Sequence, residues 1–156
     1  MDTTRKVILV ASASSPDRAI ALERLLGAAA ARSGWGERLE IRVGGIESGA
    51  GRLSDAGTAA LKALGIDAEG SICPDLDRRP QLLENAAIVV CDRGDVADVL
   101  VDWDEAGEAT FVCVSELADS DDGSDDEDAL PIGDEVRGYE SRIDEVLRRT
   151  VADSAA

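Results

Sequence analysis

The sequence predicts an α/β protein: a small doubly wound domain with four parallel strands in the order 2-1-3-4 and helices on both faces. Three observations carry this reading. Strand-like runs fall at Lys6–Ser12, Leu39–Val43, Ala87–Cys91 and Ala109–Val114, three of them almost wholly apolar. Stretches with helical spacing separate them. The chain has 156 residues, the size of one domain that buries a real core. Apolar strands alternating with helices imply a parallel sheet covered on both sides, joined by right-handed crossovers. The whole chain, 1–156, is expected to form that single domain.

The elements follow in order. "KVILVAS" (Lys6–Ser12) reads as a buried strand. Pro16 suits the first turn of a helix. Ile20, Ala21, Leu22, Leu25 and Leu26 then keep helical spacing, and the helix should stop near Gly34. "LEIRV" alternates and reads as the second strand. "GGIESGAG" (Gly44–Gly51) reads as a loop. Ser54 can cap a helix through "DAGTAALKAL", which Gly65 ends. "GIDAEGSICPDLDRRP" reads as loop, and Pro80–Asn85 as a short helix. "AIVVC" is the third strand, "RGDVADVLVDW" starts a further helix, and "ATFVCV" is the fourth strand. "DSDDGSDDED" (Asp119–Asp128) is an acidic loop. A terminal helix should place Val136, Tyr139, Ile143, Val146 and Leu147 on one face. No internal repeat is visible.

Charge excludes several functions. The formal net charge is -17. A phosphate backbone or anionic membrane surface rewards positive charge, so neither nucleic acid nor membrane is an expected partner. Lys6 and Lys62 are the only lysines among 16 basic residues. Life in high salt would favour such a surface, and a GC-rich genome would favour Arg over Lys. No run approaches the ~20 apolar residues of a membrane span. The start "MDTTRKVILV" lacks a signal-peptide layout. Three cysteines, Cys73, Cys91 and Cys113, are too few for a disulfide framework. A cytoplasmic, reduced protein is expected.

Most chemical motifs fail on spacing. The acidic loop lacks the D-x-[DN]-x-[DN]-G offsets of a calcium site, so it reads as solvated chain. The chain contains no histidine, and its cysteines lack C-x-x-C spacing. No metal site and no cofactor are therefore expected. No Walker or G-x-G-x-x-G pattern occurs. Cys91 and Cys113 sit in strand-like runs and read as core. Cys73, before Pro74 in a loop, is the best candidate for a reactive thiol. Trp35 and Trp103 should cover core edges.

The informative junction is "VILVASASSPDRAIALERLL" (Val7–Leu26). In doubly wound folds, ligands sit at the carboxyl ends of the strands near the switch point. That places any site at Ala11–Arg18, beside the loops after Val43, Cys91 and Val114. Ser12, Ser14, Ser15 and the first-turn N–H groups form a polar pocket there, with Arg18 one turn on. Such a pocket can hold an anion weakly. The simpler reading has Ser15 or Ser14 cap the helix, with Asp17 favourable in its first turn. The simpler reading is preferred.

The order of pieces resembles the low-molecular-weight protein tyrosine phosphatase family over almost the whole chain. "VILVASASSPDRA" takes the place of that family's first strand and C-x5-R-[ST] loop. "ERLEIRVGGIESGA" looks like its second strand and Ser-Ala-Gly turn. "SDAGTAALKALGIDAEG" looks like its second helix. "LLENAAIVVCDRGDVADVL" looks like the stretch ending in Met-Asp-Arg, with Cys91 in the Met position and Asp92-Arg93 retained. "LPIGDEVRGYESRIDEVL" looks like the Asp-Pro loop and terminal helix.

The resemblance implies a phosphatase site that this chain lacks. The nucleophilic cysteine falls at Ala11, whose methyl group cannot attack phosphorus. The phosphate-binding arginine falls at Asp17, a like charge facing the anion. Arg18 lies where the family has Ser or Thr, and about 100° of helical rotation should point it elsewhere. The general acid's Asp-Pro pair reads Ile132-Gly133, with Asp134 next. Val43 replaces a serine that orients the loop. The expected function is a catalytically degenerate member of the family, binding an unidentified protein or small anion or acting in regulation. The alternative is an active enzyme of the same fold, with Ser12 as nucleophile and Arg18 as anion clamp. Against it, no base near Ser12 is expected. A response-regulator-like domain is a third reading, but Val7–Ser15 lacks the acidic cluster such domains need.

Overall fold

A computed structural model describes residues 6–13, 15–46, 49–84, 86–107, 109–114 and 142–149. In chain order the elements are β1 (Lys6–Ser12), α1 (Pro16–Arg32), β2 (Leu39–Gly45), β3 (Gly51–Arg52), α2 (Asp55–Lys62), β4 (Ile72–Cys73), β5 (Ile88–Cys91), α3 (Gly94–Leu100) and β6 (Thr110–Cys113). A further helix, α4, covers 142–149.

The main sheet has four strands in the order β2-β1-β5-β6, and every pair is parallel. This is the expected 2-1-3-4 order, renumbered for two short strands that intervene. Those two, β3 and β4, form a separate antiparallel pair, Gly51 opposite Cys73 and Arg52 opposite Ile72. The sequence reading has loop at both places. The expected short helix at Pro80–Asn85 is a single 3-10 turn, Pro80–Leu82. Among the described residues no helix is long and apolar enough to cross a membrane.

Strand alternation sends successive side chains to opposite faces of the sheet. On one face Ile8, Val10, Ile88, Val90 and Val112 pack with Ile20, Leu22 and Leu26 of α1, Leu61 of α2, and Ile143, Val146 and Leu147 of α4. On the other, Leu9, Ala11, Val89 and Cys91 pack with Ile46, Leu76 and Leu83 from loops and with Val96 and Leu100 of α3. Each face thus has its own apolar layer, which explains why β1 from Val7 to Ala11 and the whole of β5 are apolar at successive positions rather than at every second one. Trp35 covers an edge of the first layer and Trp103 an edge of the second.

The helix ends follow local rules. Ser15 caps α1, its Oγ accepting from the Asp17 N–H at 3.0 Å, and Pro16 takes the first turn. Ser54 caps α2, accepting from the Gly57 N–H at 3.0 Å. Gly34 and Gly65, just beyond α1 and α2, take positive φ values of 83° and 84°. The switch point lies between β1 and β5, because the chain leaves β1 toward β2 and leaves β5 toward β6.

Candidate functional site

At the carboxyl ends of β1 and β5, Ser12 and Asp92 follow Val10 and Val90 by two residues, so both side chains turn toward the α1 face. The Ser12 hydroxyl donates to Asp92 Oδ2 at 3.0 Å. Arg18, in the first turn of α1, brings Nη1 to 3.8 Å from the same oxygen. Ser12 is 0% exposed, Asp92 2% and Arg18 8%. A serine, a carboxylate and a guanidinium thus meet in the buried crevice where this fold class holds its ligands.

Two sequence expectations are corrected here. Arg18 was expected to point away from the crevice. Its long side chain spans the rotation and reaches Asp92, because a buried guanidinium is stabilised by a carboxylate in reach. The sequence offers no base near Ser12, yet the Asp92 carboxylate accepts a hydrogen bond from its hydroxyl. Asp92 lies 80 residues from Ser12 in sequence and reaches it through the β1–β5 pairing, in which Ala11 is the partner of Cys91.

Asp17 needs a third correction. The sequence places its carboxylate where a substrate's charge would go. In the structure it turns to the start of α2. Oδ1 accepts from the Ser54 N–H at 2.8 Å and Oδ2 from the Ser54 hydroxyl at 2.5 Å. Asp17 is 8% exposed. One carboxylate therefore ties the first turn of α1 to the N-terminus of α2, where the helix dipole favours a negative charge. Gly57 makes room for it, since a Cβ there would lie 2.8 Å from Asp17 Cγ.

Ala11 is fully buried in the α3-side apolar layer. The loop after β2 closes over the end of β1: the Ile46 N–H donates to the Ser12 carbonyl at 3.0 Å. Gly49 passes so close that a Cβ would collide with that same carbonyl. Of the serines expected to line an anion pocket, Ser12 faces Asp92 and Ser15 caps α1. Ser14, Ile132, Gly133, Asp134 and the acidic loop at 119–128 lie outside the described residues, as do Val136 and Tyr139.

Cys73 is the fourth correction. It lies in β4 rather than a loop, 1% exposed. Burial, reinforced by the nearby Glu23 carboxylate, pushes its thiol up to about 12. A thiol that stays protonated at neutral pH is a poor nucleophile, so Cys73 is the wrong residue for thiol chemistry. Among the described residues no group of three or more metal-ligating side chains gathers.

No protein-family model and no curated protein matches the sequence. Solved structures do match the fold. A low-molecular-weight protein tyrosine phosphatase from T. tengcongensis superposes with a TM-score of 0.70 and 17% identity, over 92% of this chain and 99% of that one. The YwlE arginine phosphatase from Geobacillus stearothermophilus gives 0.69 and 20%, over 96% of both chains. An arsenate reductase in its phosphate-binding state gives 0.61 and 16%, over 92% and 98%. Strand order, switch point and these superpositions agree: the chain has the fold of the low-molecular-weight protein tyrosine phosphatases.

Proposed function

We propose that this protein is a catalytically degenerate form of the low-molecular-weight phosphatase fold, acting through binding or regulation and not through phosphoryl transfer. One observation carries the reading. The Asp92 carboxylate stands against both Ser12 and Arg18, so the protein's own anion faces the groups that would otherwise face a substrate's. Three features support it. Ala11 has no nucleophilic atom, Asp17 is turned to Ser54, and Ser12 is fully buried. The -17 charge argues against nucleic acid as the bound partner.

A second reading is favoured by the Ser12–Asp92 hydrogen bond itself. In it, Ser12 Oγ attacks phosphorus, its proton passes to Asp92, the aryloxide leaves, and Arg18 steadies the phosphoryl oxygens. A carboxylate is a weak base for a serine hydroxyl, and the step also needs Asp92 to release Arg18.

The test is p-nitrophenyl phosphate hydrolysis by the wild type and by Cys73→Ser, Cys91→Ser and Cys113→Ser. The degenerate reading expects no turnover above buffer from any of them. Turnover that survives all three changes and disappears in Ser12→Ala would replace it with the serine mechanism.

A further inference from the structure

Cys91 and Cys113 are direct Cα partners across β5 and β6. Each is the last residue of its strand. Both side chains belong to the apolar layer on the α3 side of the sheet. Partners on adjacent strands lie about 4.8 Å apart, and in-register side chains point to the same face. That spacing falls inside the roughly 4.4–6.8 Å Cα window of disulfides. The position at the strand ends matters as well. No later ladder pair of these strands holds the two backbones apart, so a small inward movement can bring the sulfurs to bonding distance.

We propose that Cys91 and Cys113 form a dithiol that closes reversibly to a disulfide under peroxide. All three cysteines are thiols in this structure. Cys113 is half-buried and Cys91 fully buried, so the oxidant meets Cys113 first. Hydrogen peroxide converts the Cys113 thiol to a sulfenic acid and releases water. The Cys91 sulfur then attacks the Cys113 sulfur. The S–O bond breaks, the S–S bond forms, and a second water leaves with the Cys91 proton. Two electrons pass from the two sulfurs to one peroxide. Cys73 is excluded because it packs in the layer on the opposite face of the sheet. Cys91 directly precedes Asp92, so the cross-link ties the residue that holds Ser12 and Arg18 to β6.

The experiment exposes the folded protein to hydrogen peroxide, blocks remaining thiols by alkylation, and maps the peptides without reduction. The proposal expects the thiol count in denaturant to fall from three to one, with Cys73 the alkylated survivor. A Cys91–Cys113 cross-linked peptide appears, the intact mass falls by about 2 Da, and dithiothreitol reverses both changes. Cys73→Ser falls from two thiols to none, while Cys91→Ser and Cys113→Ser form no intramolecular link. Oxidation of wild-type Cys113 to sulfinic acid with no cross-link would overturn the proposal. So would a linkage that includes Cys73 in the folded protein.

Discussion

The Ser12 hydroxyl donates to Asp92 Oδ2 across 3.0 Å, from the end of one central strand to the end of its neighbour, and Arg18 lies 3.8 Å from the same oxygen. The three side chains make one buried unit. Asp92→Asn keeps an acceptor for Ser12 but removes the charge opposite Arg18. Breaking a buried pair from one side costs about 3 kcal/mol. Urea unfolding should show a loss of that order. The Arg18→Met, Asp92→Asn double variant should lose less than the sum of the singles, with a coupling of about 1–2 kcal/mol. Strict additivity would mean that the two groups do not interact.

The Asp17–Ser54 contact predicts a second coupled pair. Asp17→Ala removes the acceptor for two hydrogen bonds from Ser54. Hydrogen bonds to a charged group contribute about 1.5–3 kcal/mol each, less where water replaces the lost partner. A destabilisation of about 2 kcal/mol is expected. Ser54→Ala also loses the cap on Gly57 and should cost about 1–2 kcal/mol. Because α1 and α2 are joined at this point, the two changes together should cost less than their sum. Unchanged urea midpoints in both single variants would show the contact to be dispensable.

Cys73 predicts an alkaline dependence of stability. Its folded thiol ionises at about 12, above the ordinary value of 9.0. Between those values the unfolded chain has lost this proton and the folded chain retains it. Stability from this residue is therefore fully present below pH 9 and is lost as pH rises toward 12. The slope approaches about 1.4 kcal/mol per pH unit. Cys73→Ala should unfold with a shallower dependence than the wild type over that window. Parallel curves would contradict the assignment.

The surface charge predicts a salt response. A charge of -17 on one small domain repels itself, and 0.1 M salt screens that repulsion beyond about 10 Å. The melting temperature should climb steadily from low to molar KCl. A flat or falling curve would remove self-repulsion as a significant term, and with it the suggestion of adaptation to high salt.

The sheet was legible because Val7–Ala11 of β1 and all of β5 are apolar at successive positions, as a strand covered on both faces requires. The caps at Ser15 and Ser54 were legible for an equally local reason. β3 and β4 were not, since two-residue strands leave no period in a sequence. The site was legible only in part. Its place at Ala11–Arg18 follows from strand order, and so does its closeness to the loop after Cys91. The contacts of Asp92 depend on the β1–β5 register, which no local pattern encodes. Arg18 escapes a reading by periodicity because helical rotation fixes the direction of Cβ and not the reach of a long side chain. The burial of Cys73 is hidden from the sequence because Pro74 marks a turn there, while the burial comes from packing against β3 and α1.

The central claim is that Asp92 serves as the internal counter-anion of this crevice. Isothermal titration with orthovanadate tests it most directly, comparing the wild type with Asp92→Ala. The account predicts no binding to the wild type at millimolar vanadate, and measurable binding once the carboxylate is removed and Arg18 and Ser12 face the crevice without it. Micromolar binding to the wild type, abolished by Arg18→Met, would contradict the account, because a substrate-like anion would then displace Asp92 unaided.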